Sequence, residues 1–511
     1  MSEQAKEQYR QLRQLPWAKL WQEEVPRFNR ATPKERLENA AVVRAVAVVF
    51  AETGAVREKE AVRNWLLDLL KDPGEKIRRY AVAALPKIGA GVREEGALLT
   101  LLDRATSPGE KEFVLEALEK IGGAATLEAL RRGNREPGLE QKLKAGTARQ
   151  LSPSAVRMDR VLVDFKNAVL HLRSRPGLES FVGAEVAESA ATGGMFRVES
   201  IARGLVVAAA LGPFSLADIY HWRCFGTVGF ILGRATVKGA DSTETLAQII
   251  ASPLSRRFLR IFTEGIIRYR LDFVGRGHQR AAVRLLAERV YALCPEILND
   301  ARNVTWTMEV YQESENISVE LCPNLTPDPR IRYRLGDVPA ASHPPLAACM
   351  ARLAGRMENE MVWDPFCGSG LELIERALLG GVRRIIGTDL SQHAIDVARK
   401  NFGAAKLDGV QADFICGDFR HAVGNSIEPG SATLIITNPP MGIRVPVADR
   451  RSLMNDLFST AAKALRPGGR FVVVNPLHLE KAPLGLERQF REEVEMGGFS
   501  CRLEKYLKRA R

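Results

Sequence analysis

Beyond Ser342 the chain alternates short apolar runs with helix-length amphipathic stretches, and no other feature restricts its fold so tightly. Strands are expected at Met361–Asp364, Arg384–Asp389, Phe414–Asp418, Ala432–Asn438 and Phe471–Asn475. Helices are expected to begin near Leu371, Ser391, Ala448 and Leu484. Parallel strands need a crossover of a dozen or more residues, which a helix supplies. The pattern predicts a doubly wound α/β sheet over 342–511, with its ligand outside the carboxyl ends of the strands. One strand end is unusual. Leu434-Ile435-Ile436 runs into Thr437-Asn438-Pro439-Pro440-Met441-Gly442. Proline cannot donate to a sheet ladder, so the strand must stop there, with an asparagine at its tip.

Four strand ends carry chemistry. Asp364-Pro365-Phe366-Cys367-Gly368-Ser369-Gly370 closes a strand and opens a helix. Its glycines allow close backbone approach, and a helix N-terminus favours a carboxylate or phosphate. This alone suits NAD, a nucleotide or the methionine part of S-adenosylmethionine. Asp389 ends the next strand, where an acid can accept both ribose hydroxyls of an adenosine cofactor; capping of helix Ser391–Asn401 is the competing reading. Asp418 ends the third strand, placed to accept from an adenine amino group, with Phe419 to pack on the ring. Asn438-Pro439-Pro440 is the most specific. An exocyclic amine on a nucleobase is a poor nucleophile, because its lone pair is delocalised into the ring. Two acceptors, the Asn438 side-chain oxygen and the Pro439 carbonyl, can take both N–H groups, localise the lone pair and aim it at a methyl donor. NAD chemistry has no use for such a turn. Cys367 reads as a small packing residue.

The front of the chain is different. Asp72–Ala90 and Ser107–Gly123 look like copies, with Leu85/Leu118, Lys87/Lys120, Ile88/Ile121 and Gly89/Gly122 at an offset of 33, although their Pro-Gly turns are 35 apart. A recurring turn, amphipathic helix and glycine mark a helical solenoid, here similar to HEAT-type repeats over Lys34–Arg132, with a plain helical bundle as the alternative. Such arrays usually bind a protein or a nucleic acid. Arg131–Ala155 reads as a linker. Mixed elements follow: strand-like Val161–Phe165, helical Gly177–Ala190, alternating Phe196–Ala210, helical Leu216–Cys224, then strand Thr227–Leu232. Between Arg256 and Arg289 nine arginines face three acids, interleaved with Phe258, Phe262, Tyr269 and Phe273. That segment holds a strand near Ile266–Val274 and a helix near Gln279–Leu293, and a strand pair at Asn303–Tyr311 and Ile317–Leu321 follows. Guanidinium groups there suit phosphate contacts and base stacking, against the plainer reading of a solvated helix face.

The net charge of +12 agrees with a polyanionic partner. The N-terminus lacks an apolar signal core and no apolar run is long enough to span a bilayer, so no membrane partner is expected. Seven scattered cysteines without a C-x-x-C pair fit a reducing cytoplasm, and the histidine spacing offers no metal site. The basic C-terminal stretch Cys501–Arg511 reads as an exposed, frayed tail or an RNA contact.

Together these motifs resemble the S-adenosylmethionine-dependent amino-methyltransferases of the N-P-P-aromatic type. Ser342–Gly355 (SHPPLAACMARLAG), Gly442 and Arg444 narrow the resemblance to the THUMP-domain RNA guanosine N2-methyltransferases, with Gly177–Glu188, Ser215–Leu232 and the arginine-rich unit similar to that family's middle segments. With the repeat reading of the front, all-α HEAT-like repeats over 1–135 that are not part of the usual family pattern, the resemblance implies a multidomain protein: a linker over 136–157, an α+β ferredoxin-like and THUMP region over 158–335, and an α/β Rossmann-like domain over 342–511. It implies S-adenosylmethionine held by Asp364, Phe366, Gly368, Gly370, Asp389, Asp418 and Phe419, and the target amine held by Asn438, Pro439, Pro440 and Met441. Arg256, Arg257, Arg260, Arg268, Arg270, Arg276, Arg280, Arg284 and Arg444 would contact structured RNA, tRNA or rRNA. Met441 stands where the family places an aromatic that stacks on the flipped base, and a thioether keeps part of that packing. The alternatives are a degenerate scaffold that binds RNA or assembles partners on its solenoid, an N6-adenine methyltransferase, or a protein-glutamine methyltransferase.

Overall fold

The computed structural model describes residues 3–54, 56–89, 91–123, 125–126, 128–129, 144, 154–236, 242–277, 279–300, 302, 304–339, 341–442, 449–477, 483 and 485–509. Most of the expected linker lies outside them. The chain divides into two compact units, 1–155 with 233–319, and 156–232 with 320–511. Residues 158–335 fall partly in each unit.

The first unit begins with helices, among them Ala41–Thr53, Lys59–Leu69, Glu75–Ala84, Val92–Arg104 and Pro108–Ile121. The two similar helices start at Glu75 and Pro108, 33 residues apart, which matches the offset of their later residues. The extra two residues therefore lie in the turn. Gly74 is the N-cap of one helix, whereas Ser107 caps the other and Pro108 occupies its first position, where a missing N–H costs nothing. Ion pairs tie each helical layer to the next. Arg36 meets Asp72 at 2.9 Å, Arg63 meets Glu94 at 2.6 Å and Arg78 meets Glu110 at 2.6 Å. In each pair the acid is buried, so the arginine supplies the partner that a buried charge requires.

The rest of this unit holds helices Thr243–Ile250, Pro253–Phe262 and Arg280–Leu293, with strand Arg268–Phe273 between parallel neighbours Leu298–Asn299 and Trp306–Glu313. The aromatics among the arginines serve this core. Phe258, Phe262 and Tyr269 are fully buried and Phe273 nearly so, which removes them as stacking platforms for bases.

In the second unit, antiparallel strands Val169–Arg173, Phe196–Ala202 and Leu205–Ala210 accompany helix Glu179–Ala191. The expected strand over Val161–Phe165 shrinks to Val161–Leu162, and the expected helix over Leu216–Cys224 to Leu216–Ile219, which Ser215 and Asp218 cap reciprocally. The large sheet contains β1 (Glu360–Asp364), β2 (Val382–Asp389), β3 (Gln411–Cys416), β4 (Ala432–Thr437), β5 (Leu465–Asn475), β6 (Leu486–Glu495) and β7 (Ser500–Lys508). Its order is 3-2-1-4-5-7-6. The first five strands are parallel and β7 runs antiparallel to both β5 and β6. Helices α1 (Pro344–Ala354), α2 (Leu371–Leu378), α3 (Gln392–Ala405) and α4 (Arg450–Ala464) accompany it. The chain order reverses between β1 and β4, the place where open α/β sheets hold ligands.

Two expectations at the C-terminal end fail. The helix expected near Leu484 is strand β6, and the supposed frayed tail is β7. Local charge pattern in Leu486–Glu495 suits a helix, but pairing with β7 across a turn at Gly497 and Gly498, both at positive φ, decides the outcome. Within β7, Leu503 and Tyr506 are fully buried.

Glu110→Ala leaves Arg78 half-paired between helical layers, and urea unfolding is expected to show a loss of about 1–3 kcal/mol with an unchanged folded far-UV spectrum.

Candidate functional site

Adjacent parallel strands end together. The registers Asp364↔Gly387, Asp389↔Cys416 and Trp363↔Ile435 bring the tips of β1 to β4 to one edge. There the Thr437 hydroxyl donates to Asp364 Oδ1 at 2.5 Å, and the Phe366 amide donates to the same oxygen at 3.0 Å. Asp364 is completely buried, and burial, reinforced by nearby Glu372, pushes its carboxyl well above the usual range. Its Oδ2 has no hydrogen-bond partner.

From Asp364 the chain turns through Gly368 and Gly370, both at positive φ, into α2. A side chain on Gly370 would begin 3.3 Å from Ala398 Cβ, so glycine serves both conformation and packing here. The Gly368 amide donates to Asp389 Oδ2 at 3.0 Å, and Asp389 Oδ1 accepts from Ser391 N–H at 2.9 Å. Ser391, not Asp389, caps α3. Asp418 caps the short turn Phe419–His421 and pairs with the Arg420 guanidinium at 2.9 Å. The rings of Phe366 and Phe419 lie 4.8 Å apart. Cys367 is buried, which raises its thiol pKa, and it packs so closely that a side chain on Gly387 would meet its sulfur at 3.0 Å. It is a packing residue.

A cavity of about 550 Å³ opens over these strand ends. Phe366, Gly368, Asp389, Asp418, Phe419, Asn438, Pro439, Pro440 and Met441 all line it, whereas Asp364 and Gly370 lie behind its wall. At the tip of β4, Asn438 donates from Nδ2 to Ser342 Oγ at 2.8 Å, and Ser342 in turn donates to Glu372. Asn438 Oδ1 is buried and has no hydrogen-bond partner. Met441 lies beside β7, its sulfur 3.9 Å from the Cys501 sulfur.

Sequence reasoning missed several wall residues: Arg175, Ser342, Glu372, Met496 and Phe499. Ser342 opens the SHPP stretch that had been noted only as a family marker. Met496 and Phe499 sit on the turn between β6 and β7, and Arg175 reaches Met496 with a nitrogen 3.7 Å from its sulfur. No local signal marks them, because the hairpin itself was not foreseen.

The arginines expected to contact RNA divide. Arg256, Arg257 and Arg260 border one shallow recess on helix Pro253–Phe262, and Arg260 also pairs with Glu296 at 2.7 Å. Arg270, Arg276, Arg280 and Arg284 are exposed, with Arg284 paired to Glu288 at 2.9 Å. Arg268 is buried against Asp300, so it holds the fold and is withdrawn from any phosphate-contacting surface. Arg444 lies outside the described residues.

Residues 331–504 match the family model UPF0020, described as "RMKL-like, methyltransferase domain". This stretch of the chain is a methyltransferase domain. A tRNA (guanine(10)-N2)-dimethyltransferase of Methanothermobacter thermautotrophicus is 30% identical over 164 residues, 31% of this chain and 46% of that protein. A tRNA (guanine(6)-N2)-methyltransferase of Methanocaldococcus jannaschii is 26% identical, over 40% of this chain and 60% of its own length. The chain thus spans about half the length of the curated relatives it matches. Ribosomal RNA large subunit methyltransferase G of Streptomyces griseus is 31% identical over 118 residues, 23% of this chain and 29% of that protein. The crystal structure of TrmN from Thermus thermophilus superposes with a TM-score of 0.52 at 22% identity, covering 67% of this chain and 99% of that one, and shares the fold.

Thr437→Val removes one of the two donors on the buried Asp364 oxygen. We expect urea unfolding to report a loss of about 1–3 kcal/mol, since a buried acceptor loses a partner without gaining solvent.

Proposed function

We propose that this chain is an S-adenosylmethionine-dependent RNA methyltransferase that forms N2-methylguanosine in tRNA or rRNA. One observation carries the reading: Asn438 Oδ1 is buried at the cavity wall without a hydrogen-bond partner, beside the rigid Pro439-Pro440 turn. A buried acceptor is costly unless a ligand satisfies it. An exocyclic amine is such a ligand, and its second N–H can go to the Pro439 carbonyl. Proline at 439 and 440 offers no N–H to compete for those acceptors.

The residues fit the cofactor. S-adenosylmethionine supplies a methyl group on a sulfonium centre. Asp389 and Asp418 present carboxylates at adjacent strand ends of the cavity, suited to ribose hydroxyls and an adenine amine. Phe366 and Phe419 add apolar ring surface between them. Asp364 and Gly370 act from behind the wall, fixing the loop that carries Gly368 toward the methionine part. Asn438 and Pro439 hold and orient the amine, so the protein contributes positioning and electrostatic complementarity rather than a strong base.

For the rest of the chain, we read the front helices as HEAT-type repeats over 1–135, supported by the 33-residue helix spacing and the ion pairs between layers, and offering a surface to a protein partner. The region over 158–335 is read as ferredoxin-like and THUMP segments that grip structured RNA through phosphates and 2′-hydroxyls, with Arg256, Arg257, Arg260, Arg270, Arg276, Arg280 and Arg284 as its basic contacts. The place of action is the cytoplasm. The names of the tRNA- and rRNA-methylating relatives support the RNA class.

Met441 favours a second reading, a degenerate methyltransferase kept as an RNA-binding or assembly scaffold, because the stacking aromatic is absent. Isothermal calorimetry with S-adenosylmethionine bears on the choice: the enzyme reading requires saturable binding, and its absence favours the scaffold.

Asn438→Ala is expected to lower methyl transfer to RNA by about 10²–10³-fold while the calorimetric affinity for S-adenosylmethionine stays unchanged. Wild-type turnover in this variant would remove Asn438 from its assigned role.

A further inference from the structure

We propose that Glu372 and Ser342 form a positioning relay that locks the Asn438 amide with its oxygen facing the cavity, and that the lock opens when Glu372 is protonated. The inference rests on the reading of Asn438 as the amine-holding group.

An asparagine amide is nearly symmetric in shape, so something must decide which end faces the ligand. Turned one way, Asn438 offers an acceptor to an amine. Turned the other way it offers an NH₂ group, which repels that amine. Nothing in the Asn-Pro-Pro turn itself makes the choice. The hydrogen bonds around it do.

Ser342 lies between Asn438 and Glu372, 2.8 Å from Asn438 Nδ2 and hydrogen-bonded to a Glu372 oxygen. An ionised carboxylate can only accept, so the Ser342 proton must point at Glu372. Ser342 Oγ is then left only with lone pairs toward Asn438. It can take a hydrogen from Nδ2 and has none to give to Oδ1. The amide must therefore put NH₂ on Ser342, and Oδ1 falls on the cavity side, where it is buried and unpartnered. If Glu372 takes up a proton, it can donate to Ser342. The Ser342 hydroxyl hydrogen is then free to donate to Asn438 Oδ1, and both amide orientations become allowed. One proton moves onto Glu372 and no bond other than hydrogen bonds changes.

The surroundings favour uptake of that proton over its uptake by an exposed carboxylate. Glu372 is buried at the start of α2. Burial raises its pKa, opposed by the Ser342 hydroxyl and the backbone amide, with Glu375 raising it and Arg334 lowering it. Buried Asp364 from β1 lies close enough for the charge on Glu372 to raise its pKa. Arg334 pairs with Asp337 at 2.6 Å, and the pKa of His343, next to Ser342 on the cavity wall, is lowered to about 4 by burial and by Arg175 and Arg334. Glu375 accepts from Arg223 at 2.7 Å and Tyr333 at 2.5 Å, and Arg376 pairs with Glu360.

The relay joins three elements that are far apart in sequence: the segment before α1, the first turn of α2 and the tip of β4. Its members are positioning residues, so the test reads orientation as well as turnover. In full-length protein labelled with [¹⁵N]asparagine, the Asn438 side-chain amide signal is identified by its loss in Asn438→Ala. The relay predicts that this signal titrates with a midpoint above the usual carboxylate range, and that Glu372→Gln and Ser342→Ala each abolish the titration. The acid limb of kcat should share that midpoint and vanish in Glu372→Gln. Ser342→Ala should lower kcat about twofold or more, as both amide orientations become populated, with KM for S-adenosylmethionine unchanged. Ser342→Thr, which keeps the hydroxyl, should restore both signal and rate. The relay is overturned if the Asn438 titration persists in Glu372→Gln or in Ser342→Ala, or if Ser342→Ala keeps the wild-type kcat. The amide signal needs no substrate, so a protein that methylates no RNA would defeat the functional reading while this titration still decides the relay.

Discussion

The site depends on where one sheet ladder stops. Strands β1 and β4 lie side by side, and proline follows the end of each, Pro365 after Asp364 and Pro439 two residues after Thr437. In β4 the stop is covalent, because Pro439 and Pro440 have no N–H. In β1 Pro365 does the same, and the buried Asp364 before it is tied across to Thr437 at 2.5 Å and to the loop amide of Phe366. That single junction sets the height of the glycine loop, the start of α2 and the direction of Asn438. The acids at the ends of β2 and β3 then arrive by register alone.

Buried charge makes the rest of the unit specific. Glu360 on β1 meets both Arg376 of α2 and Arg470 of β5, so a helix and two strands share one acid. Glu375 meets Arg223 and Tyr333 in the same way. Breaking any of these would leave a charge in a dry environment, which costs more than the pair contributes over an apolar core. The net charge of +12 is therefore not a uniform coat. Part of it, such as Arg268 on Asp300, is structural, and exposed charge lies on residues such as Arg270 and Arg280.

Much of the site was legible because its signals are local. Alternating strand and helix, strand-end acids and the Asn-Pro-Pro turn each need only a few neighbouring residues to be recognised. The solenoid reading also drew on a local repeat, and the structure places the irregular two residues in the turn. What escaped depends on contacts between distant segments. Ser342 and Glu372 are 30 residues apart and Ser342 and Asn438 96 apart, and only the assembled sheet makes them partners. The β6–β7 hairpin was misread because Leu486–Glu495 carries many charges at helix-compatible spacing, while its pairing to β7 is a long-range fact. With the hairpin went Met496 and Phe499, which bring apolar surface to the cavity that already holds Met441. The aromatics interleaved with the arginines near Arg268 went to the core, which their spacing alone did not reveal.

The central claim is that the strand-end turn presents acceptors to the exocyclic amine of a guanine in RNA. Its most direct test is mass spectrometry of nucleosides from tRNA and rRNA incubated with the purified protein and S-adenosylmethionine. We expect N2-methylguanosine that appears only when both protein and cofactor are present. Recovery of N6-methyladenosine instead, or of no methylated nucleoside from either RNA, would contradict it.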